Sequence, residues 1–70
     1  MATIEDYRVK LGWSKVKLAQ EAGIGVRTVS DAIKGKSIYK ATAGKIANAL
    51  SRGLGHELAY KDIEGLNLAD

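Results

Sequence analysis

The side chains of this sequence best suited to chemistry are the basic ones that crowd positions 10–40. Seven basic residues in that stretch oppose two acidic ones, a local charge of +5: Lys10, Lys15, Lys17, Arg27, Lys34, Lys36 and Lys40. From residue 51 onward two basic residues oppose four acidic ones, a local charge of −2. Such an asymmetry, with a pI near 9.3, favours contact between one face and a polyanion. A merely solvated surface is the alternative that charge alone leaves open.

The sequence offers little for catalysis or for metal binding. It has no cysteine and a single histidine, His56, so neither a thiolate site nor an all-imidazole site can be built. No serine or cysteine is arranged with His56 as a nucleophile. The run Gly35-Lys36-Ser37 imitates the end of a phosphate-binding loop but lacks the glycine five residues earlier. We therefore expect no catalytic residue, metal, cofactor or small-molecule ligand.

The length and composition predict one small domain spanning residues 1–70. Hydrophobic residues make up 46% of the chain, which suits a compact helical core. No apolar run approaches the roughly 18 residues of a membrane span, and the acidic start of the chain is unlike a secretory signal. We expect a cytoplasmic protein with no membrane partner.

The spacing of the apolar residues, and the glycines that interrupt it, predict short helices along a chain that contains no proline. Thr3 and Ser14 have the side chains that cap the first two helices. Later helices are predicted over residues 26–34 and 40–52, then a break over residues 53–55 and a short fifth helix. The expected fold class is all-α, a compact bundle of about five short helices.

The C-terminal third of the chain carries apolar residues that the predicted core does not need. They are Leu54, Leu58, Ile63, Leu66 and Leu68. We expect residues 54–70 to include a dimerisation segment. The tail after Gly65 is either a frayed end or an apolar strip that seals the dimer.

The most informative stretch joins the predicted helices at about 15–22 and 26–34 by a tight turn. Gly23 supplies the backbone freedom that this turn requires. Ala19 is small where the two helices would cross, and Val29 is placed to fill the core beside the turn. In a helix-turn-helix the first helix braces the second, whose N-terminal residues enter the major groove of DNA.

Residues 4 to about 60 resemble the Cro and phage-repressor (XRE-like) type of helix-turn-helix domain, which has the lambda-repressor-like fold. The likeness rests on Gly12-Trp13-Ser14 before the second helix and on residues 18–36, LAQEAGIGVRTVSDAIKGK. The latter segment is also similar to the lactose-repressor type of headpiece, but the helix ahead of Ser14 and the lack of a hinge proline favour the former. The resemblance implies sequence-specific DNA binding, generally as a dimer on an operator of approximate two-fold symmetry.

The sequence departs from the family pattern at three positions. Gly25 stands where Ser or Thr usually caps the third helix, which removes a side-chain acceptor and puts one phosphate contact in doubt. Ile33 stands where the Cro-type family often has Glu. Lys15 replaces a common Gln and keeps a donor that faces phosphate.

The resemblance places Val26, Arg27 and Asp31 on the positions that face base edges. Arg27 can donate to guanine O6 and N7, Asp31 can accept from cytosine N4, and Val26 can contact a thymine methyl. Asp31 has a second interpretation, in which it pairs with Arg27 or Lys34 along the helix. The candidate phosphate contacts, which position a domain without reading sequence, are Lys15, Lys17, Thr28, Ser30, Lys34, Lys36 and Tyr39.

Three functions are compatible with the sequence. The first, which we favour, is a phage- or prophage-type transcription regulator that binds a pseudo-palindromic operator as a homodimer and occludes the polymerase. The second is an antitoxin that autoregulates its operon and binds a protein partner through its C-terminal residues. The third is a helical protein-interaction module, which predicts no salt-dependent affinity for duplexes. An enzyme is the least compatible, because no site has two cooperating groups.

Overall fold

A computed structural model describes residues 2–69. Four α-helices make up most of this part of the chain: α1 (Ile4–Leu11), α2 (Lys15–Ala22), α3 (Val26–Ile33) and α4 (Lys40–Leu54). The remaining elements are one turn of 3₁₀ helix (Tyr60–Asp62) and four two-residue strands, β1 (Ala2–Thr3), β2 (Ser37–Ile38), β3 (Ile63–Glu64) and β4 (Asn67–Leu68). No helix within these residues is long and apolar enough to cross a membrane.

The predicted caps form at the start of the first two helices. Thr3 Oγ1 accepts a hydrogen bond from the Asp6 N–H at 3.2 Å, and the Asp6 carboxylate accepts one from the Thr3 N–H at 3.0 Å. Ser14 Oγ accepts from the Lys17 N–H at 3.0 Å. These bonds satisfy N–H groups that have no partner inside the helix. A local side chain therefore sets where each helix begins.

The core lies where the four helices meet. Its largest fully buried side chains are Leu18 of α2, Val29 of α3, and Ile46 and Leu50 of α4. Small residues let the helix backbones approach one another, and the buried alanines are Ala19, Ala22, Ala32, Ala43, Ala47 and Ala49. Because the chain has no disulfide, the burial of this apolar surface is its main source of stability.

Trp13 packs at the turn between α1 and α2 against a glycine of α4. A Cβ atom at Gly53 would lie 2.8 Å from Trp13 Cη2 and Cζ2 and 2.9 Å from Leu11 Cδ1. Arg8 fastens the same turn, since its Nη1 donates to the Trp13 carbonyl at 2.7 Å and its Nε donates to Glu5 Oε1 at 2.5 Å. The break predicted over residues 53–55 therefore starts too early, because Gly53 is a helical residue whose missing side chain makes room for the indole.

Residues 63–69, here called the C-terminal segment, run beside two other parts of the chain. β3 pairs in parallel with β1, and β4 pairs in parallel with β2. Ile63 is buried, while Leu66 and Leu68 are partly buried against the core. The segment thus connects the start of the chain to the stretch between α3 and α4.

The prediction of an all-α fold with five helices is wrong after α4. Between residues 55 and 69 the structure has the 3₁₀ turn and the two strands of the C-terminal segment, and no further α-helix. Leu58 and Ile63 are five residues apart, and Leu66 and Leu68 are two apart, so these side chains do not share one face of an α-helix. Ile63 and Leu68 lie instead in short strands paired with β1 and β2, and Leu58 is buried beside α4.

The apolar residues that we expected to be surplus to the core belong to it. Leu58 is 7% exposed and Ile63 is 4% exposed, and Leu54, Leu66 and Leu68 pack against the core as partly buried side chains. Ser51 fastens this region to α4, because its Oγ accepts a hydrogen bond from the Leu58 N–H at 2.8 Å. A dimerisation segment within residues 54–70 stays a prediction. The leucines that could contribute to it are the three that are partly exposed, Leu54, Leu66 and Leu68.

The two interior glycines of α4 should respond oppositely to alanine. Gly53→Ala should lower the free energy of unfolding by about 1–3 kcal/mol, because its Cβ overlaps Trp13. Gly44→Ala meets nothing within 4 Å, so it should raise the free energy by about 0.5–1 kcal/mol through helix propensity. Urea unfolding of both variants checks this, and a stabilised Gly53→Ala would contradict the packing of the indole.

The Glu5–Arg8 pair should make stability depend on acid pH. The hydrogen bond from Arg8 holds the pKa of Glu5 below its ordinary value of 4.5. A carboxyl with a lowered folded-state pKa stabilises the fold above its unfolded pKa, and this contribution is lost as pH falls through the folded value. Wild type should exceed Glu5→Gln in stability near neutral pH, and the difference should shrink below pH 4.5. Unfolding curves across that range would contradict the pairing if the difference stayed constant.

Candidate nucleic-acid interface

The turn between α2 and α3 begins at Gly23, the residue at which α2 ends. Gly23 has φ +71°, a left-handed conformation in which a side chain is strained. Its N–H donates to the Gln20 carbonyl at 3.2 Å, and the Ile24 N–H donates to the Ala19 carbonyl at 3.0 Å. This two-bond ending satisfies the last carbonyls of α2. The chain then turns within residues 23–25 into α3, as the sequence predicts.

The inner face of α3 packs against α2 and fixes how α3 is presented. Val29 is fully buried and Ala32 is 3% exposed. Across the contact, Leu18 and Ala19 of α2 are buried as well. The predicted burial of Ala19 and Val29 is therefore confirmed, and the opposite face of α3 is turned away from the core.

That outer face of α3 carries the three residues predicted to face bases. Val26 is 43% exposed, Arg27 is exposed and Asp31 is half-buried. The guanidinium of Arg27 makes no hydrogen bond or ion pair with another residue of the described chain. The first turn of α3 therefore presents an unpaired guanidinium beside an exposed isopropyl group.

Asp31 pairs with Lys36, whereas the sequence suggested Arg27 or Lys34. Lys36 Nζ lies 3.6 Å from Asp31 Oδ1. The backbone places them together, because the Lys36 N–H donates to the Asp31 carbonyl at 2.9 Å where α3 ends. The Lys36 side chain is 63% exposed and that of Asp31 is 35% exposed, so the pair contributes little to stability and either partner can be drawn to another ion.

The stretch of residues 34–39, here called the α3–α4 loop, presents further polar groups. Lys34 and Lys36 are exposed, and Tyr39 is 66% exposed. Between them Ile38 is buried, which anchors the loop. In extended backbone, neighbouring side chains point to opposite sides. Because the side chain of Ile38 points into the core, that of Tyr39 faces solvent.

The seven residues predicted to contact phosphate differ in their surroundings. Thr28 and Ser30 are half-buried, and Lys17 Nζ lies 3.2 Å from Glu21 Oε2 on the next turn of α2. The exposed members of the set are Lys15, Lys17, Lys34, Lys36 and Tyr39. All seven lie on α2, α3 or the α3–α4 loop.

Arg52 is a positioning residue that the sequence does not reveal. Its guanidinium donates a hydrogen bond to the Glu21 carbonyl in the last turn of α2. A cation at a helix C-terminus also interacts favourably with the helix dipole. The bond ties α4 to the helix that braces α3. Because the two residues are 31 positions apart, no local pattern could have paired them.

Among residues 2–69 no three His, Cys, Asp or Glu side chains are grouped so that they could hold a metal ion. His56 is exposed, and its Nδ1 lies 3.3 Å from the carbonyl oxygen of Glu57. The basic surface around α3 is thus the region whose chemistry is best defined.

The comparison with protein families agrees with this geometry. A family model described as helix-turn-helix matches residues 4–55, well over half of the chain, so the chain belongs to the Cro/C1-type helix-turn-helix family. This family consists of DNA-binding regulators that are generally not enzymes. No curated protein and no solved structure matches the chain. The matched region contains the whole of α1 to α4 and ends before the 3₁₀ turn.

The start of α3 should gain stability from a side-chain cap. Gly25 caps α3 with φ −73° and ψ 148° and without a side-chain hydrogen bond, and a Cβ there meets nothing within 4 Å. Gly25→Ser should therefore raise the free energy of unfolding by a few tenths of a kcal/mol. The reciprocal control, Ser14→Gly, should lower it by a similar amount. Thermal unfolding distinguishes the two, and a destabilised Gly25→Ser would contradict the cap geometry.

Proposed function

We propose that this chain is a sequence-specific transcription regulator of the phage- or prophage-type repressor kind. It binds double-stranded DNA through α3 as a homodimer on a pseudo-palindromic operator, and it represses by occluding the polymerase. The observation that carries the proposal is Arg27, an exposed guanidinium on the first turn of α3 with no partner in the described chain. Membership of the helix-turn-helix family supports DNA as the ligand.

Each residue of the outer face has a role that follows from its chemistry. Arg27 donates two parallel hydrogen bonds to O6 and N7 of a guanine. Val26 contacts a thymine methyl with its exposed isopropyl group. Asp31 accepts a hydrogen bond from cytosine N4 when Lys36 moves from Asp31 to a phosphate. Because the Asp31–Lys36 pair is exposed and weak, this exchange costs little free energy.

The surrounding basic and hydroxyl side chains hold the duplex without reading it. Phosphate contacts set the register of a protein on DNA and carry most of its salt dependence. The groups proposed for this role are Lys15, Lys17, Thr28, Ser30, Lys34, Lys36 and Tyr39. Binding should therefore weaken steeply as salt is raised, whereas a protein-interaction module would show no such dependence.

The homodimer is part of the proposal because a two-fold operator needs two copies of α3. The centres of the half-sites should then lie about 10–10.5 base pairs apart, one turn of the duplex. Sedimentation at high protein concentration, with and without DNA, tests this directly. A chain that stays monomeric in both conditions would contradict the dimer and leave the role of α3 intact.

Selection from a randomised duplex library at about 150 mM salt tests the function. Wild type should enrich a palindromic consensus that contains guanine. Arg27→Ala should lose that guanine preference and about 1–3 kcal/mol of binding free energy. Lys61→Ala is the matched control, because it removes the same charge from an exposed position far along the chain. Enrichment that is the same in wild type and Arg27→Ala would contradict Arg27 as the reading residue.

Asp31 should act on specificity more than on affinity. Its carboxylate repels phosphates, so Asp31→Ala should bind random duplexes more tightly while its preference for the selected site weakens. Competition between the selected duplex and random DNA measures both effects. Unchanged affinity for both duplexes would contradict a role for Asp31 at the bases.

A further inference from the structure

We propose that the C-terminal segment, residues 63–69, positions the α3–α4 loop for contact with DNA, with the backbone N–H of Ala69 and the side chain of Asn67 as its positioning groups. This inference rests on the proposed function. It concerns residues outside the region that matches the helix-turn-helix family, which ends at residue 55.

The segment and the loop are joined by hydrogen bonds along one edge. β4 pairs with β2 in parallel, with Ser37 opposite Asn67 and Ile38 opposite Leu68. The Ala69 N–H donates to the Ile38 carbonyl at 2.7 Å, and Asn67 Nδ2 donates to the Gly35 carbonyl at 3.4 Å. These hydrogen bonds therefore hold the backbone on either side of Lys36 and immediately before Tyr39, two of the candidate phosphate contacts.

Apart from the C-terminal segment, the loop is held at its start by the Lys36 N–H bond to the Asp31 carbonyl and further along by the burial of Ile38. Ile38 is its one buried side chain in the described structure, and β2 is only two residues long. Fixing the backbone of a flexible residue costs conformational entropy. A loop already held in place by β4 does not lose this freedom on binding DNA, so its groups are preorganised for the duplex.

The segment is itself anchored firmly enough to hold the loop. β3 pairs with β1, with Ala2 opposite Ile63 and Thr3 opposite Glu64. Ile63 is 4% exposed, and Leu66 packs against the core. The segment is thus fixed at β3, and it extends from there to the α3–α4 loop, whose backbone it holds through β4.

Two alanine-to-proline variants separate positioning from general stability. Ala69→Pro removes the N–H that donates to Ile38 while leaving the apolar side chains in place. Ala59→Pro is the matched control, because Ala59 is also exposed and its N–H donates at 3.1 Å to Asp62, away from the loop. Ala59 has φ −88° and ψ 154°, close to the φ of about −65 ± 15° to which the proline ring is restricted.

Binding of both variants to the duplex selected by wild type is measured at a temperature where their unfolding curves show them folded. Ala69→Pro should bind about five-fold more weakly, the effect of removing one hydrogen bond. Its slope of log affinity against log salt should become shallower by about 0.9 for each phosphate that the loop no longer neutralises. Ala59→Pro should match wild type in affinity and slope. Amide exchange should accelerate at residues 35–39 in Ala69→Pro alone.

The outcomes distinguish this inference from the proposed function. If wild type binds its duplex and Ala69→Pro binds with the same affinity and salt slope, the C-terminal segment does not position the loop, and the proposed function is unaffected. An equal weakening of binding in Ala69→Pro and Ala59→Pro would also overturn this inference, because it would show a general decrease in stability. A wild-type chain that binds no duplex overturns the proposed function and this inference together.

Discussion

The contact between α2 and α3 across the turn at Gly23 is the constraint on which the rest of the molecule depends. Leu18 and Ala19 on one side and Val29 on the other are buried in it, so α3 has only one face left for solvent. That face begins with Val26 and Arg27 because the left-handed Gly23 ends α2 and the chain turns within residues 23–25 to begin α3 at Val26. A longer turn, or a larger residue in place of Ala19, would rotate or displace α3. The guanidinium of Arg27 would then no longer occupy its present position on the outer face of α3.

The other polar contacts of the fold keep this helix pair in place. Arg52 joins α4 to the end of α2, and Arg8 holds the α1–α2 turn through the Trp13 carbonyl. The C-terminal segment holds the loop that follows α3. Each of these contacts comes from outside the helix-turn-helix: Arg8 acts ahead of α2, Arg52 acts beside the turn where α2 ends, and the C-terminal segment acts after α3. The outer face of α3 stays largely exposed, while the elements behind it are held at several points.

Local signals were enough to predict the first half of the fold. The caps at Thr3 and Ser14 and the turn at Gly23 depend on residues at most five positions apart, so the bounds of α1 and α2 followed from the sequence. The exposure of Arg27 also followed, because the opposite face of α3 is apolar. The fate of the C-terminal leucines did not, since their partners in β1 and β2 are distant in sequence. The packing of the Trp13 indole on Gly53 likewise depends on tertiary geometry that spacing does not reveal. The Asp31–Lys36 pair is local, but it depends on how the chain turns at the end of α3 and not on helical spacing.

The most direct test of the account is to map the DNA-binding surface by amide chemical shifts. Labelled protein is titrated with a duplex of about 20 base pairs, long enough for two half-sites. If α3 binds the duplex, the largest shifts should fall on the first turn of α3 and on the α3–α4 loop, with smaller ones at the start of α2. Shifts concentrated on α1 or on residues 57–64, with α3 unchanged, would contradict it, because DNA would then meet a face that α3 does not form.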